Sequence, residues 1–133
     1  MGNAGLQALG WHVTHEQWGA RQLQGRFIEQ NSRAMTQYDY YSYLAVTAVS
    51  TAVQALKDRS GNSLYQYLLS DDAAIAAYQG RKLSFANTTR QLRQPLLLAH
   101  EGALVASAPL PGFLHQTNEL DTLGANVTGC EDN

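Results

Sequence analysis

The sequence has little charge and a single cysteine. Of its 133 residues only 15% are charged, and nine Lys and Arg stand against eleven Asp and Glu, for a net charge of −2. Without an excess of cations, the chain lacks the basic footprint of a nucleic-acid-binding protein and of a polybasic membrane anchor. Cys130 has no second cysteine in the chain, which excludes an intrachain disulfide and a cysteine-ligated metal site.

Long apolar runs are also missing. The longest uncharged stretches contain glycine, histidine, glutamine, asparagine or proline, and none resembles the roughly 20-residue apolar span that crosses a bilayer. The N-terminus shows no basic segment followed by an apolar one, so no signal peptide is visible. We therefore expect no membrane insertion of this chain.

The strongest periodic signal predicts a helix over residues 36–59, where apolar residues recur at three- and four-residue spacing. Thr36, with Asp39 three positions later, forms a variant of the capping box, and Gly61 follows the helix as a stop signal. The stripe expected to face the core comprises Tyr41, Leu44, Ala45, Ala48, Val49, Ala52, Val53 and Leu56. Shorter helices are predicted over residues 63–69 and 16–31. In the second of these, Trp18 and Leu23 are apolar positions and the start is expected near Ala20.

Extended signals follow the helices. Leu83 and Phe85 alternate with polar residues in the stretch 82–85, which predicts a strand. Apolar runs at 96–99 and 103–106 flank a turn and predict a hairpin. Residues 71–80 are ambiguous, and residues 112–133 look irregular. Helices followed by short strands predict a mixed α/β chain.

Histidines and one acidic pair are the candidates for catalytic or metal chemistry. His12 and His15, with Glu16 beside them, could share a metal ion, but no third ligand follows at zinc-like spacing. Asp71 and Asp72 are adjacent in a loop, where carboxylates are usually solvated. No nucleophile–base pattern or phosphate-binding motif occurs. We therefore expect no enzyme, no metal site and no cofactor.

Four tyrosines within residues 38–43 are more informative. Tyr41 fits the buried stripe of the long helix, whereas Tyr38 and Tyr40 lie off it, at the helix entry. A tyrosine ring offers a flat apolar face and a hydroxyl group, which suits a small-molecule cleft. Simple packing at the mouth of the helix is the alternative interpretation.

Several segments carry a family resemblance. At the C-terminal end these are Gln91-Leu92-Arg93-Gln94-Pro95-Leu96-Leu97-Leu98, Gly112-Phe113-Leu114-His115-Gln116 and Glu119-Leu120-Asp121-Thr122-Leu123-Gly124. Earlier segments agree in order and spacing, among them Trp11-His12 and Met35-Thr36-x-Tyr38-Asp39-Tyr40. Together they resemble the C-terminal end of type I periplasmic solute-binding proteins, the branched-chain amino acid-binding class of ABC transporters. The resemblance is to a subfamily associated with PQQ-dependent alcohol dehydrogenase systems. The sequence departs from the pattern of that subfamily at Tyr78-Gln79-Gly80 and at Ala108-Pro109-Leu110.

The resemblance implies a fold and a function. Such family members are two-lobed α/β proteins with a signal peptide, more than twice this length, and this chain is similar to their last third. Residues 1–70 would form the helical part of one lobe. Residues 71–133 would form the hinge return, short strands and irregular tail of the other lobe. The chain would then be a fragment of a periplasmic solute-binding component of an ABC-type transport or sensing system. It would bind a small-molecule solute by lobe closure, with an ABC permease or a quinoprotein dehydrogenase system as partner.

The resemblance also implies ligand-binding residues. In the wider family an aromatic residue at the entry of the long helix touches the ligand, and Tyr38 occupies the matching position. Asp39 and Trp11 are further candidates. One alternative is a small non-catalytic interaction or assembly module linked to a quinoprotein dehydrogenase system, which would need an exposed apolar surface. A small hydrolase is a third alternative, supported only by the histidines and the acidic pair.

Overall fold

The computed structural model describes residues 5–110, 112, 118 and 120. Its elements are β1 (Gln7–Leu9), a 3-10 turn (Gln17–Gly19), α1 (Ala20–Asn31), α2 (Gln37–Ala55), α3 (Gly61–Leu68), β2 (Ile75–Ala76), β3 (Lys82–Phe85), β4 (Leu92–Arg93), β5 (Leu96–His100) and β6 (Ala103–Ala108). The mixed helix-and-sheet class is therefore confirmed. The predicted irregular region at 112–133 lies almost entirely outside the described residues.

The strands form two small antiparallel sheets, in the orders β1-β5-β6 and β2-β3-β4. The predicted β5–β6 hairpin is confirmed, and the ambiguous stretch 71–80 contains strand β2. In the first sheet, Leu9 of β1 lies opposite Leu97 of β5. An early segment of the chain thus completes a sheet whose other two strands come much later.

Helix α2 begins as the capping pattern predicts. The Thr36 hydroxyl accepts a hydrogen bond from the Asp39 backbone N–H at 3.3 Å, and the Asp39 carboxylate accepts one from the Thr36 backbone N–H at 2.8 Å. Both bonds satisfy backbone donors that a helix start leaves unpaired. The first turn of α2 is therefore fixed by two side chains.

The predicted end of α2 is wrong by four residues. The helix ends at Ala55, because Leu56 has extended backbone angles (φ −109°, ψ 144°). Ser60 then starts α3, where its hydroxyl accepts a hydrogen bond from the Ser63 backbone N–H at 3.3 Å. Gly61 is consequently the first residue of α3 and does not act as the stop signal of α2.

The buried face of α2 is rotated from the predicted stripe. Its buried residues are Tyr40, Leu44, Ala48 and Ala52, at strict four-residue spacing. Tyr40 is fully buried, Tyr41 only partly, and Val49 is 52% exposed. The Tyr40 ring stacks on Trp11 at 4.7 Å between centroids, and its hydroxyl donates to the Ala77 carbonyl oxygen at 2.6 Å. This stacking and this hydrogen bond place Tyr40 in the core.

One hydrophobic cluster draws on residues from both sides of the predicted boundary at residue 70. Its buried members are Trp11, Ala20, Leu23, Met35, Tyr40, Leu44, Ala48, Ile75, Ala77 and Leu83. Helices α1 and α2 therefore pack against the second sheet. Trp11 and Leu83, which lie far apart in the sequence, are exposed by only 2% and 0%.

Candidate functional site

Two short segments of the chain are in close contact. Each contains an aromatic residue and, one or two positions later, a glycine. The first is Trp18-Gly19, in the turn before α1, and the second runs from Tyr78 to Gly80, between β2 and β3. A Cβ atom added to Gly80 would lie 2.6 Å from Cε2 of Trp18, and one added to Gly19 would lie 3.0 Å from Cδ1 of Tyr78. Each ring thus packs against the glycine of the other segment. We call these two segments the aromatic–glycine crossing.

The backbone of this crossing is strained. Gly19 and Gly80 have φ angles of 81° and 75°, and Trp18 and Tyr78 have φ angles of 57° and 53°. Glycine adopts such angles freely, but for a residue with a side chain they cost about 1–2 kcal/mol. Clusters of strained residues occur at ligand clamps and functional sites more often than elsewhere. The crossing is therefore a candidate functional site.

An open cleft of about 550 Å³ lies beside the crossing. Its described lining comprises Trp18, Tyr43, Thr47, Ala76, Ala77, Tyr78, Gly80, Arg81 and Lys82. We call it the aromatic cleft. Trp18 is 64% exposed, and the rings of Tyr43 and Tyr78 lie 6.1 Å apart, inclined at 48°. Two cations, Arg81 and Lys82, stand at its β3 side, and no carboxylate occurs among the described lining residues.

The Tyr43 hydroxyl is neutral at pH 7, as an ordinary phenol is, and its surroundings favour that form further. Burial raises the pKa of Tyr43, and the neighbouring Tyr78 hydroxyl adds to the increase. A neutral phenol can both donate and accept a hydrogen bond. The aromatic cleft therefore combines apolar rings, a phenol with both hydrogen-bonding capacities and positive charge, which can bind and orient a solute.

A second, smaller cavity of about 230 Å³ lies on the other side of Trp18. His15 and Gln79 line it, together with Trp18 and residues of β5 and β6. The His15 Nε2 atom lies 3.3 Å from the Tyr78 carbonyl oxygen, and the Gln79 Nε2 atom donates to the Gly10 carbonyl oxygen at 2.6 Å. The other polar atom of each side chain, Nδ1 and Oε1, is buried without a partner among the described residues. Burial lowers the pKa of His15, so its imidazole is neutral at pH 7.

The three predicted ligand-binding residues do not meet in one place. Trp11 is 2% exposed and stacks on Tyr40 in the core. Tyr38 is 81% exposed in the first turn of α2. The Asp39 carboxylate accepts two hydrogen bonds from the Arg33 guanidinium, at 2.6 and 2.8 Å, in addition to its capping bonds. None of the three predicted residues is part of the described lining of the aromatic cleft.

The ion pair and the capping bonds have a clear electrostatic effect. The hydrogen bond from Arg33 and those from Thr36 hold the pKa of Asp39 far below its usual range. The carboxylate is therefore ionised at any ordinary pH and complements the positive end of the α2 dipole. In this structure Asp39 fixes the start of the helix that carries Tyr38.

The sequence candidates for metal and acid–base chemistry lie apart from one another. His12 Nδ1 lies 2.8 Å from the Thr14 hydroxyl, whereas His15 is buried beneath the crossing. Asp71 and Asp72 are exposed. Within the described part of the chain, no three His, Cys, Asp or Glu residues are grouped as metal ligands. Nor does any helix there combine the length and apolar content needed to cross a bilayer.

Sequence reasoning missed the aromatic cleft. The sequence pattern makes Trp18 an apolar position of a helix, but Trp18 lies in the turn before α1 and is mostly exposed. A usable signal is present, because Trp18-Gly19 and Tyr78-Gln79-Gly80 both place a glycine beside or near an aromatic residue at a segment end. Glycine at such positions indicates a positive φ or a close approach. No protein-family model matches this chain, and neither a curated protein nor a solved structure matches it significantly.

Proposed function

We propose that this chain is the C-terminal part of a two-lobed solute-binding protein of an ABC-type transport or sensing system, periplasmic in its full-length form. The observation that carries the proposal is the aromatic cleft, whose volume of about 550 Å³ lies in the range of small-ligand sites. Its described lining offers rings, hydroxyl groups and cations but no nucleophile–base pair. Binding without covalent chemistry is the function that such a lining supports.

The openness of the cleft is consistent with a site completed by a second lobe. Specific small-molecule sites bury some 70–90% of the ligand surface, whereas Trp18 at the rim of this cleft is 64% exposed. A second lobe that closes over the ligand about a hinge would cover the open side. The family resemblance of the segments around Trp11, Tyr38 and residues 91–98 supplies the independent reason to expect such a lobe.

Of the predicted ligand-binding residues, Tyr38 is the one available for direct contact. Tyr38 is 81% exposed at the start of α2 and lies outside the described lining of the aromatic cleft, so a ligand that touches it would extend beyond that cleft. A ligand would have to displace Arg33 to reach the Asp39 carboxylate. It would have to open the core to reach the Trp11 indole. We therefore propose that Asp39 and Trp11 support the ligand-binding surface from within.

The alternative proposal is a non-catalytic interaction or assembly module linked to a quinoprotein dehydrogenase system. Val46 and Val49, three positions apart on α2, are 71% and 52% exposed, and Val105 of β6 is 60% exposed. Exposed apolar side chains of this kind favour a protein partner. Sedimentation distinguishes the two proposals, because a discrete stable oligomer supports the module and a monomer or aggregate supports the solute-binding part.

The test compares the melting temperature of this 133-residue chain with that of the longer protein that the proposal requires. Both are heated with leucine, valine, lactate, acetate, ethanol or benzoate, each at a concentration that saturates a completed site. Ligand at 100 times its Kd adds about 2.7 kcal/mol of stability, so we expect a clear rise for the longer protein with at least one solute. We expect almost none for this chain alone.

Two outcomes would overturn the proposal. A large rise for the isolated chain contradicts a site shared between two lobes. The absence of a longer gene product, established by intact mass measurement of the natural protein, contradicts the assignment as a C-terminal part. As a control, Lys57→Gln lies outside the described lining of the cleft and should leave both melting curves unchanged.

A further inference from the structure

We propose that the aromatic cleft takes an organic anion, an aromatic carboxylate whose ring packs on Trp18 and whose carboxylate group pairs with Lys82. This inference rests on the proposed function and adds the chemical class of the solute. It depends on three properties of the cleft: the charges of its lining residues, the exposure of the Trp18 ring, and the hydroxyl groups of Tyr43 and Tyr78.

The charge distribution in the cleft is one-sided. The whole chain has a net charge of −2, yet the described lining of the cleft contains Arg81 and Lys82 and no acidic residue. Lys82 is exposed at the start of β3. Its ammonium group can form a charge-assisted hydrogen bond with a carboxylate. The cleft thus selects an anion although the protein as a whole is slightly acidic.

The indole of Trp18 is exposed and yet held in place. Its Cδ2, Cε2 and Nε1 atoms lie against Gly80, where a Cβ atom would be within 2.6 to 2.9 Å of each of them. Its own φ of 57° is strained, so the surrounding packing must impose the conformation. An exposed ring in a fixed position binds a flat apolar group without a large loss of side-chain entropy.

Two tyrosines of the cleft lining carry hydroxyl groups. Tyr43 and Tyr78 present rings 6.1 Å apart, and burial raises the pKa of the Tyr43 phenol, which is neutral at pH 7 even without that shift. A neutral phenol can donate a hydrogen bond to a carboxylate oxygen. An aromatic carboxylate therefore matches the cleft at both ends, whereas an aliphatic anion or a neutral aromatic compound matches it at one end only.

The experiment uses the fluorescence of Trp18. The chain has two tryptophans, and because Trp11 is 2% and Trp18 64% exposed, acrylamide-accessible emission reports on Trp18. The isolated chain is titrated with benzoate, with benzamide as a neutral aromatic compound and with acetate as an anion without a ring. We expect a saturable change with benzoate in the millimolar range. Benzamide and acetate should each bind roughly tenfold more weakly, since each lacks one of the two contacts.

Two matched variants locate the anion. Lys57 and Lys82 are the only lysines of the chain, and Lys57 lies outside the described lining of the cleft. Loss of one charge-assisted contact weakens binding by roughly tenfold. We therefore expect Lys82→Gln to raise the benzoate Kd by that factor and Lys57→Gln to leave it unchanged. Backbone amide shifts in NMR spectra should move at Thr47 and at residues 76–82, which provides a readout independent of tryptophan.

The outcomes separate this inference from the proposed function. Equal affinity for benzamide and benzoate, an equal effect of the two lysine variants, or no saturable response to benzoate overturns the inference. If a different solute then raises the melting temperature of the longer protein, solute binding stands and the ligand class is wrong. If benzoate binds this chain through Lys82 but no longer protein exists, the cleft is correctly assigned and the two-lobed function is wrong.

Discussion

The indole of Trp18 occupies the space that a side chain at position 80 would need. A Cβ atom at Gly80 would lie 2.6 Å from Trp18 Cε2, a distance that real Cβ contacts essentially never show. Glycine at position 80 therefore serves two purposes, since it allows a φ of 75° and leaves room for the ring. The position of an exposed tryptophan in the aromatic cleft thus depends on a residue that has no side chain.

Replacing Gly80 with alanine should move Trp18 and destabilise the protein. The positive φ alone costs roughly 1–2 kcal/mol for a residue with a side chain. The methyl group would also lie 2.6 Å from Cε2 of Trp18 and forces the indole away from its present position. We expect a lower melting temperature, increased acrylamide quenching of Trp18 and loss of the benzoate response.

Gly112→Ala is the matched control for that variant. Gly112 has a φ of 91°, and no atom of the described residues lies within 4 Å of the point that an alanine methyl group would occupy. Alanine there adds backbone strain without a clash. We expect only the roughly 1–2 kcal/mol cost of the positive φ, and unchanged quenching of Trp18. Unchanged quenching in Gly80→Ala as well would contradict the close packing of Trp18 on Gly80.

Gly25→Ala should stabilise the protein. Gly25 lies within α1 (Ala20–Asn31) and a Cβ atom there meets nothing within 4 Å. Alanine in the interior of a helix is more favourable than glycine by roughly 0.5–1 kcal/mol, because glycine loses more backbone entropy on folding. Urea unfolding followed by circular dichroism should show a higher midpoint with an unchanged slope, and a lower midpoint would mean that α1 is not helical at this position.

Tyr40→Phe should destabilise the protein while leaving its core volume almost unchanged. The Tyr40 hydroxyl donates to the Ala77 carbonyl oxygen at 2.6 Å within the core. Removing it leaves a buried carbonyl group unpaired, which costs roughly 1–3 kcal/mol. Chemical unfolding measures this loss. Tyr38→Phe, at a ring that is 81% exposed, is the control and should be neutral, so equal effects of the two variants would exclude a buried hydrogen bond.

His15 should make the stability depend on pH. Burial lowers the pKa of His15 below its usual value of 6.5, so the unfolded chain takes up a proton at a higher pH than the folded protein does. Its contribution to stability is therefore complete above that usual pKa and is lost as the pH falls below it. Unfolding free energies measured from mildly alkaline to mildly acidic pH should show this decline. The decline should be smaller in His15→Gln, and an equal decline in that variant would contradict the burial of His15.

The sequence predicted those features of the fold that are determined by residues close to one another along the chain. The start of α2 follows from Thr36 and Asp39, three positions apart, and the β5–β6 hairpin follows from two apolar runs around a turn. The burial of Tyr40 could not be predicted in this way. Its position is decided by Trp11 and Ala77, and neither lies close to it in the sequence. Periodicity alone favoured Tyr41, one position further along the helix.

The candidate site was unpredictable for the same reason. The aromatic cleft forms because Trp18 and Gly80 approach each other, and nothing in either local segment encodes that approach. The glycines mark where the backbone is unusual, but they do not say which ring lies against them. Tyr38 and Asp39 were predicted from the family resemblance, and neither belongs to the described lining of the cleft. Trp18, Tyr43 and Lys82 come together only through the fold.

The pairing of β1 with β5 has a consequence for synthesis on the ribosome. Leu9 and Leu97 are opposite one another in the sheet, so the first strand leaves the ribosome long before its partner. Non-local pairings of this kind form slowly, because the intervening loop must close first. The helices are synthesised before β5 and can pack on one another first. During that time β1 is an unpaired edge strand. A nascent chain halted before β5 would expose that edge to other chains, which makes it a target for holding chaperones.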